Sequence, residues 1–340
     1  MGFAKLVQMG ELQQQPMTIF ALRLRIAIFL AGTVLLPGMT LRVEAAATVG
    51  ILGDSISAGN GSAFGEFPNW HTQLSNAGQF QVELNAAAGG ATTGNLVAQR
   101  AGIISLVGAN QLDYSVLIMG GNDFASFGGF NIATGGNPLP LVNSVVSNIQ
   151  NTIMAIAASG NVRQIVANVP DVTTSPLVQN NASSFGVTPL GLLALSNAIA
   201  TANAQIEVFA ISQSVPVLDL FGLSQDLAAN VPLQLAGVNF NMIFAPDDFH
   251  PAPVVHGLLA NLFISAAQLG YGDTMLPLSD QTIVTNVSGT PLLAGPTYYD
   301  VSAYVLIPEP QTFTLALTAV ALCFVRKRRY QFSSATVVGR

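Results

Sequence analysis

Along the chain, short apolar runs that stop at Gly, Asn, Asp or Pro alternate with longer stretches of helical period. The runs are Thr48 to Leu52, Phe80 to Leu84, Ser115 to Met119, Gln164 to Ala167 and Val215 to Leu218. Most are continuous rather than alternating, the pattern of strands buried on both faces. Between them lie helical candidates at Asn69 to Ala77, Leu96 to Val107, Leu141 to Ser159, Leu190 to Ser212 and Pro253 to Leu269. The fourth carries its own start signal, because Thr188 can cap it and Pro189 suits a first helical turn. This alternation predicts an α/β fold, a three-layer α/β/α sandwich around a parallel five-stranded sheet. In such sheets function gathers beyond the carboxyl ends of the strands. Two stretches fall outside the alternation. Glycine-rich Gly120 to Gly136 reads as a loop. Gly270 to Leu306, rich in Gly, Thr, Ser and Pro, reads as an irregular or strand-like extension and linker.

Composition removes whole classes of function. Only 8% of the 340 residues are charged, against roughly 25% in ordinary soluble domains. Between Ala46 and Ile307 the only basic side chains, histidines aside, are Arg100 and Arg163. A phosphate backbone demands clustered Lys and Arg, so nucleic acid is excluded as a partner. The single cysteine, Cys323, permits neither a disulfide framework nor a cysteine-built metal site.

The two ends read as addresses. Arg23 and Arg25 precede the apolar run Ile26 to Leu36, and small residues follow in Val43-Glu44-Ala45-Ala46-Ala47. Basic, then apolar, then small is the order of a secretory signal cut by signal peptidase. The region before Arg23 is long for one, which makes Met17 an alternative start. At the other end stand Ile307-Pro308-Glu309-Pro310, an apolar run from Phe313 to Val325, and Arg326-Lys327-Arg328-Arg329. The run is shorter than the roughly 20 residues a spanning helix prefers, and the basic cluster would stay on the cytoplasmic side. This tail resembles the PEP-CTERM sorting signal of Gram-negative envelope and exopolysaccharide proteins. It departs from that pattern in the extra stretch Tyr330 to Arg340. The resemblance implies an exosortase-type processing enzyme as a partner and a transient membrane anchor. An ordinary C-terminal anchor is the alternative. Either way the body is expected to be exported, to the cell envelope, the outer surface or the extracellular matrix. The expected organisation is a signal over 1–47, a globular domain over 48–270, an extension over 271–306 and a sorting tail over 307–340.

Four stretches at the ends of these runs carry candidate chemistry. Gly53-Asp54-Ser55 ends the first. A serine hydroxyl needs a base before it is a useful nucleophile, and a turn after a strand favours the same residues. Asn85-Ala86-Ala87-Ala88-Gly89-Gly90-Ala91-Thr92 follows the second run. Its paired glycines let backbone N–H groups face a cavity, or it is a helix entry capped by Thr92 or Thr93. Gly120-Gly121-Asn122-Asp123 follows the third, where an Asn amide can donate to a developing oxyanion or simply make a turn. Asp247-Asp248-Phe249-His250-Pro251 precedes the last helix. That spacing lets Asp247 accept the Nδ1 proton of His250 and leaves Nε2 facing a serine, with Asp248 the competing acid. His71 and His256 read as surface or helix-packing residues. No His or Cys cluster supplies the three or four ligands of a zinc site.

Together and in this order, the four stretches resemble the four blocks of the GDSL, or SGNH, hydrolase family over roughly Thr48 to Leu269. The resemblance implies a flavodoxin-like parallel five-stranded sheet and ester hydrolysis without metal or organic cofactor. It makes Ser55 the nucleophile and Asp247 with His250 the acid and base. It places an oxyanion hole at the N–H groups of Ser55 and Gly90 and the side chain of Asn122. Asn168-Val169-Pro170-Asp171, with Pro176 after it, is similar to a further segment of the family following the fourth strand. The substrate class implied is an ester, either of a lipid or of an acylated saccharide, with acyl transfer to sugar as a variant. Phe64, Phe67 and Trp70 follow the nucleophile and either line an acyl or sugar site or belong to the core. A non-catalytic envelope binding protein on the same fold is the rival reading.

Overall fold

The computed structural model describes residues 46–58, 68–291 and 295–308. The expected signal, apart from its last two residues, the sorting tail beyond Pro308, and Phe64 and Phe67 lie outside the described residues. Strands β1 (Ala47–Gly53), β2 (Phe80–Asn85), β3 (Tyr114–Ile118), β4 (Arg163–Ala167) and β5 (Val217–Leu218) are parallel. Their spatial order is β2-β1-β3-β4-β5, the flavodoxin-like doubly wound arrangement. Helices α1 (Trp70–Asn76), α2 (Leu96–Gly108), α3 (Gly121–Ala125), α4 (Phe127–Ala133) and α5 (Leu139–Ala157) lie before β4 in the chain. After it come α6 (Pro176–Ala182), α7 (Pro189–Ser212), α8 (Leu220–Ala229), α9 (Pro253–Tyr271) and α10 (Asp280–Ser288).

The strands bury alternate side chains in two cores, which is why their sequences are continuously apolar. Val49, Ile51, Tyr114, Val116, Ile118, Ile165 and Ala167 face α1, α8, α9 and α10. Leu52, Leu117, Val166 and Val217 face α2, α5 and α7. The result is the expected three-layer α/β/α sandwich. Helix α5 shows how its sequence chooses a face: Val142, Val145, Val146, Ile149, Ile153 and Ile156 are buried at helical spacing. Helix α9 is long and apolar enough to cross a membrane, yet most of it is buried inside the fold, as in a core helix. Trp70 is fully buried and packs on Phe80 and Phe263, with ring centroids 6.2 and 5.9 Å away. It belongs to the core and lines no site.

Two stretches differ from their sequence reading. The sheet has a sixth strand, β8 (Val305–Leu306), antiparallel to β5 and tied further by the Asp219 N–H donating to Tyr304 O at 2.8 Å. A two-residue strand leaves no periodicity to read. The stretch expected to be a linker also holds α10, capped by the Ser279 side chain and ended by Gly289 in the left-handed region. Asn261 of α9 fastens it, accepting from Leu278 N at 2.7 Å and donating to Leu278 O at 2.8 Å. Gly120 to Gly136 is not a loop but α3 and α4, whose Phe124, Ile132 and Ala133 are buried. There tertiary packing overrides the low helix propensity of glycine. A short hairpin, β6 (Leu233–Leu235) with β7 (Val238–Phe240), follows α8.

Candidate active site

Strand β1 pairs with β2 on one side and β3 on the other, so its carboxyl end is where the strand order reverses. Ser55 sits just beyond that end. The Gln99 side chain of α2 grips the peptide of Gly53, accepting from its N–H at 2.9 Å and donating to its carbonyl at 2.8 Å. The chain then curls into one turn. Asp54 O accepts from Ser57 N at 3.1 Å and from Ala58 N at 2.8 Å, while Asp54 Oδ1 accepts from Ile56 N at 3.0 Å. This turn holds Ser55 partly exposed above a buried Asp54.

Two neighbouring strand ends converge on it. After β2 the chain crosses the end of β1: Ala86 N donates to Ile51 O at 2.9 Å and Ala88 N to Gly53 O at 3.1 Å. Asn85 Nδ2 donates to Ser57 O at 2.8 Å. Gly90 follows with φ +73°, a conformation L side chains rarely adopt. The N–H groups of Gly90 and Ser55 donate to no acceptor among the described residues. After β3, Gly120 turns the chain with φ +122°, where an added Cβ would also fall 2.6 Å from Val169 Cγ2. Asn122 then opens into α3, and its Nδ2 donates to Ala91 O at 2.9 Å. That bond aims the amide across the gap between the second and third strand ends and leaves its other N–H to donate.

The loop before α9 completes the arrangement. Asp247 Oδ1 accepts from Phe249 N at 3.1 Å and from His250 N at 3.0 Å, while Oδ2 lies 2.5 Å from His250 Nδ1. His250 Nε2 lies 2.7 Å from Ser55 Oγ. The structure therefore brings Ser55, His250 and Asp247 into one hydrogen-bonded relay. Asp248, the competing acid, is exposed with φ +60°, and its carbonyl accepts from Leu177 N at 2.9 Å. Burial pushes the Asp247 carboxyl up, but the His250 ring and the two backbone donors outweigh it and hold the carboxyl below its ordinary value. The loop itself is braced by Ala245 N donating to His250 O at 2.7 Å and Ala252 N to Ile243 O at 2.9 Å.

Some site residues left no signal in the sequence. Besides Gln99, a buried carboxyl pair underlies the serine turn. Asp123 accepts from Thr93 N at 2.9 Å and Thr93 Oγ1 at 2.8 Å, and Asn148 Nδ2 donates to Thr93 Oγ1 at 3.2 Å. Burial pushes the Asp54 carboxyl up to about 7, with the negative charge of Asp123 adding to it and the Ile56 N–H opposing it. Such a carboxyl favours the folded state most when protonated. Its contribution is complete below about pH 4 and is lost as pH rises towards about 7, a change of at most about 4 kcal/mol. Asp54→Asn should therefore gain stability relative to the parent between pH 4.5 and 8, measured by urea unfolding at both values. Parallel stabilities across that range would contradict this assignment. The other two histidines are buried. His71 Nε2 lies 3.1 Å from Ser57 O, and burial lowers its pKa to about 4. His256, inside α9, is lowered to about 3 by burial, then by the charges of His71 and His250. Asn168 is a brace: it donates to Glu207 Oε1 at 2.8 Å and Asp219 Oδ1 at 2.7 Å and accepts from Phe221 N at 3.0 Å.

Ser55, Asn122 and His250 open into a small cavity of about 100 Å³, walled also by Asp171, Leu227 and Phe249. Gly90 does not line it. The sequence profile of the GDSL-like Lipase/Acylhydrolase family matches residues 51–258, more than half of the chain. The chain belongs to this family. The matched span runs from the first strand through Ser55, Asn122 and His250 into α9. Solved structures similar to the chain include a lipase/acylhydrolase from Enterococcus faecalis, at 18% identity and TM-score 0.43, covering 68% of this chain and 98% of that one. A phospholipase A1 from Streptomyces albidoflavus stands at 16% identity and TM-score 0.44, covering 66% of this chain and 100% of that one. An acetylxylan esterase from Geobacillus stearothermophilus stands at 14% identity and TM-score 0.45, covering 69% and 99%. A search of curated protein sequences gives no match.

Proposed function

We propose that the chain is an exported carboxylic ester hydrolase that works through an acyl-enzyme on Ser55. The observation that carries this reading is the continuous relay from Asp247 through His250 to Ser55 Oγ. Ser55 Oγ attacks the ester carbonyl while His250 Nε2 takes its proton, and Asp247 holds the imidazole with Nδ1 protonated. The carbonyl oxygen gains negative charge, which the N–H group of Ser55 and the Asn122 amide, both on the cavity wall, receive, with the Gly90 N–H as the third donor that the family resemblance implies. His250 returns the proton to the departing alkoxide, which leaves as the alcohol. Water, deprotonated by the same imidazole, then cleaves the acyl–serine bond and releases the acid. The route uses groups of the chain and water alone. Asn122→Ala should lower kcat on p-nitrophenyl butyrate by about 10²–10³-fold, since the other donors remain. An unchanged kcat would remove Asn122 from the oxyanion site.

The whole reading is tested by steady-state hydrolysis of p-nitrophenyl acetate, butyrate and decanoate by the purified protein. A folded protein inactive on all three, and on acetylated sugars, overturns it in favour of the binding-protein reading. Export rests on the basic–apolar–small order before Ala46 and on the tripartite tail after Leu306. It implies signal peptidase and an exosortase-type enzyme as processing partners. Cell fractionation tests it: a full-length, uncut chain in the cytoplasm would contradict it.

A further inference from the structure

Beside the small cavity lies a larger one of about 660 Å³ that the relay does not use. Two of its walls come from chain segments that also wall the first. Gly121 and Asn122 line the small cavity and Phe124 to Phe127 the large one; Thr174 and Ser175 line the small cavity and Leu177 and Val178 the large one. The same two chain segments thus contribute to both cavities. The second segment is also fastened to the relay loop, because Leu177 N donates to Asp248 O.

The groove is apolar and its rim is unusually so. Phe127 is 82% exposed, Phe185 61% and Leu177 42%. Phe130 bridges the two exposed rings, 6.3 Å from Phe127 and 5.9 Å from Phe185. Residues 124–162 and 172–206, which build every wall, contain no Asp, Glu, Lys, Arg or His. A contiguous exposed apolar surface beside a reactive group marks a ligand groove. The absence of charge on either wall fits an uncharged chain and gives a charged peptide nothing ionic to pair with.

Resting on the acyl-enzyme reading above, we infer that this groove takes the hydrocarbon chain of the substrate's acyl group, which makes the enzyme selective for esters of medium or long fatty acids. A two-carbon acyl group ends inside the small cavity. A longer one follows Asn122 and Ser175 outward and buries its methylenes against Phe124, Phe130, Leu177 and Phe185. Each methylene so buried is worth up to about fourfold in kcat/KM.

The test compares kcat/KM for p-nitrophenyl decanoate and acetate in the parent, in the double variant Phe127→Ser/Phe185→Ser, and in Val208→Ser as a control. Val208 is exposed on α7 and does not line the groove. The parent should favour decanoate at least tenfold. The double variant should lose at least tenfold of that ratio, and the control should keep it. In parallel, dodecanoate binding is measured by calorimetry on Ser55→Ala and on Ser55→Ala/Phe127→Ser/Phe185→Ser, with at least tenfold weaker binding expected in the latter. An unchanged ratio in the double variant overturns the groove, as does a change confined to oligomeric state or vesicle binding. If no ester is hydrolysed at all, the acyl-enzyme reading fails separately. The calorimetry then decides the groove, with equal dodecanoate binding by the two proteins overturning it.

Discussion

Ser55→Ala is expected to lower kcat on p-nitrophenyl butyrate by about 10⁴–10⁶-fold, the range seen when a nucleophile acting as part of a unit is removed. The size of the effect follows from the geometry. Ser55 Oγ is the atom 2.7 Å from His250 Nε2, the nitrogen that takes its proton. Without it, the base has only water to activate, and a covalent intermediate cannot form. The Ser55 N–H and the Asn122 amide persist, and on the proposed oxyanion site they would leave residual catalysis above water. The substitution removes one partly exposed hydroxyl, so thermal unfolding should be nearly unchanged. A folded Ser55→Ala protein that keeps more than a tenth of parental kcat would show that another group attacks the ester.

Asp247→Asn should cost about 10⁴-fold in kcat near pH 7 while leaving the loop intact. The asparagine Oδ1 can still accept from the N–H groups of Phe249 and His250, which shape the loop in the parent at 3.1 and 3.0 Å. What changes is the partner of Nδ1. The carboxylate Oδ2 accepts the Nδ1 proton, whereas an amide NH₂ in its place donates to an unprotonated Nδ1. The imidazole proton then sits on Nε2, and the ring cannot accept from Ser55. Asp248→Asn is the matched comparison, since that side chain is exposed and its role is the carbonyl contact to Leu177. Equal losses in the two variants would contradict the assignment of Asp247 as the acid that orients the ring.

What the chain discloses before folding is the part written in local pattern. Continuous apolar runs announced β1 to β4 to within two residues, because a strand buried on both faces can hold little else. The ends of those runs point to Ser55, Gly90 and Asn122, and the entry to the last helix to the Asp247–His250 pair, because turn residues and reactive side chains coincide there. The choice between Asp247 and Asp248 needed coordinates, since it depends on a positive φ at Asp248 that turns its side chain to solvent. Gln99 and the Asp54–Asp123 pair were silent for the same reason. A polar residue inside a helix or turn does not say that it is buried, and their roles arise only from what α2 and the Thr93 turn bring beside them. Trp70 was ambiguous in sequence and is core in space, where Phe80 and Phe263 close around it. Helices α3, α4 and α10 leave no helical period in the sequence because packing, not propensity, holds them.

The most direct test of the Ser55 acyl-enzyme is covalent labelling with a fluorophosphonate, read by intact mass and peptide mapping. The account predicts one adduct per chain, on Ser55, abolished in both Ser55→Ala and His250→Ala and retained in His256→Ala. A folded protein that takes up no label, or takes it up on a residue other than Ser55, would contradict it.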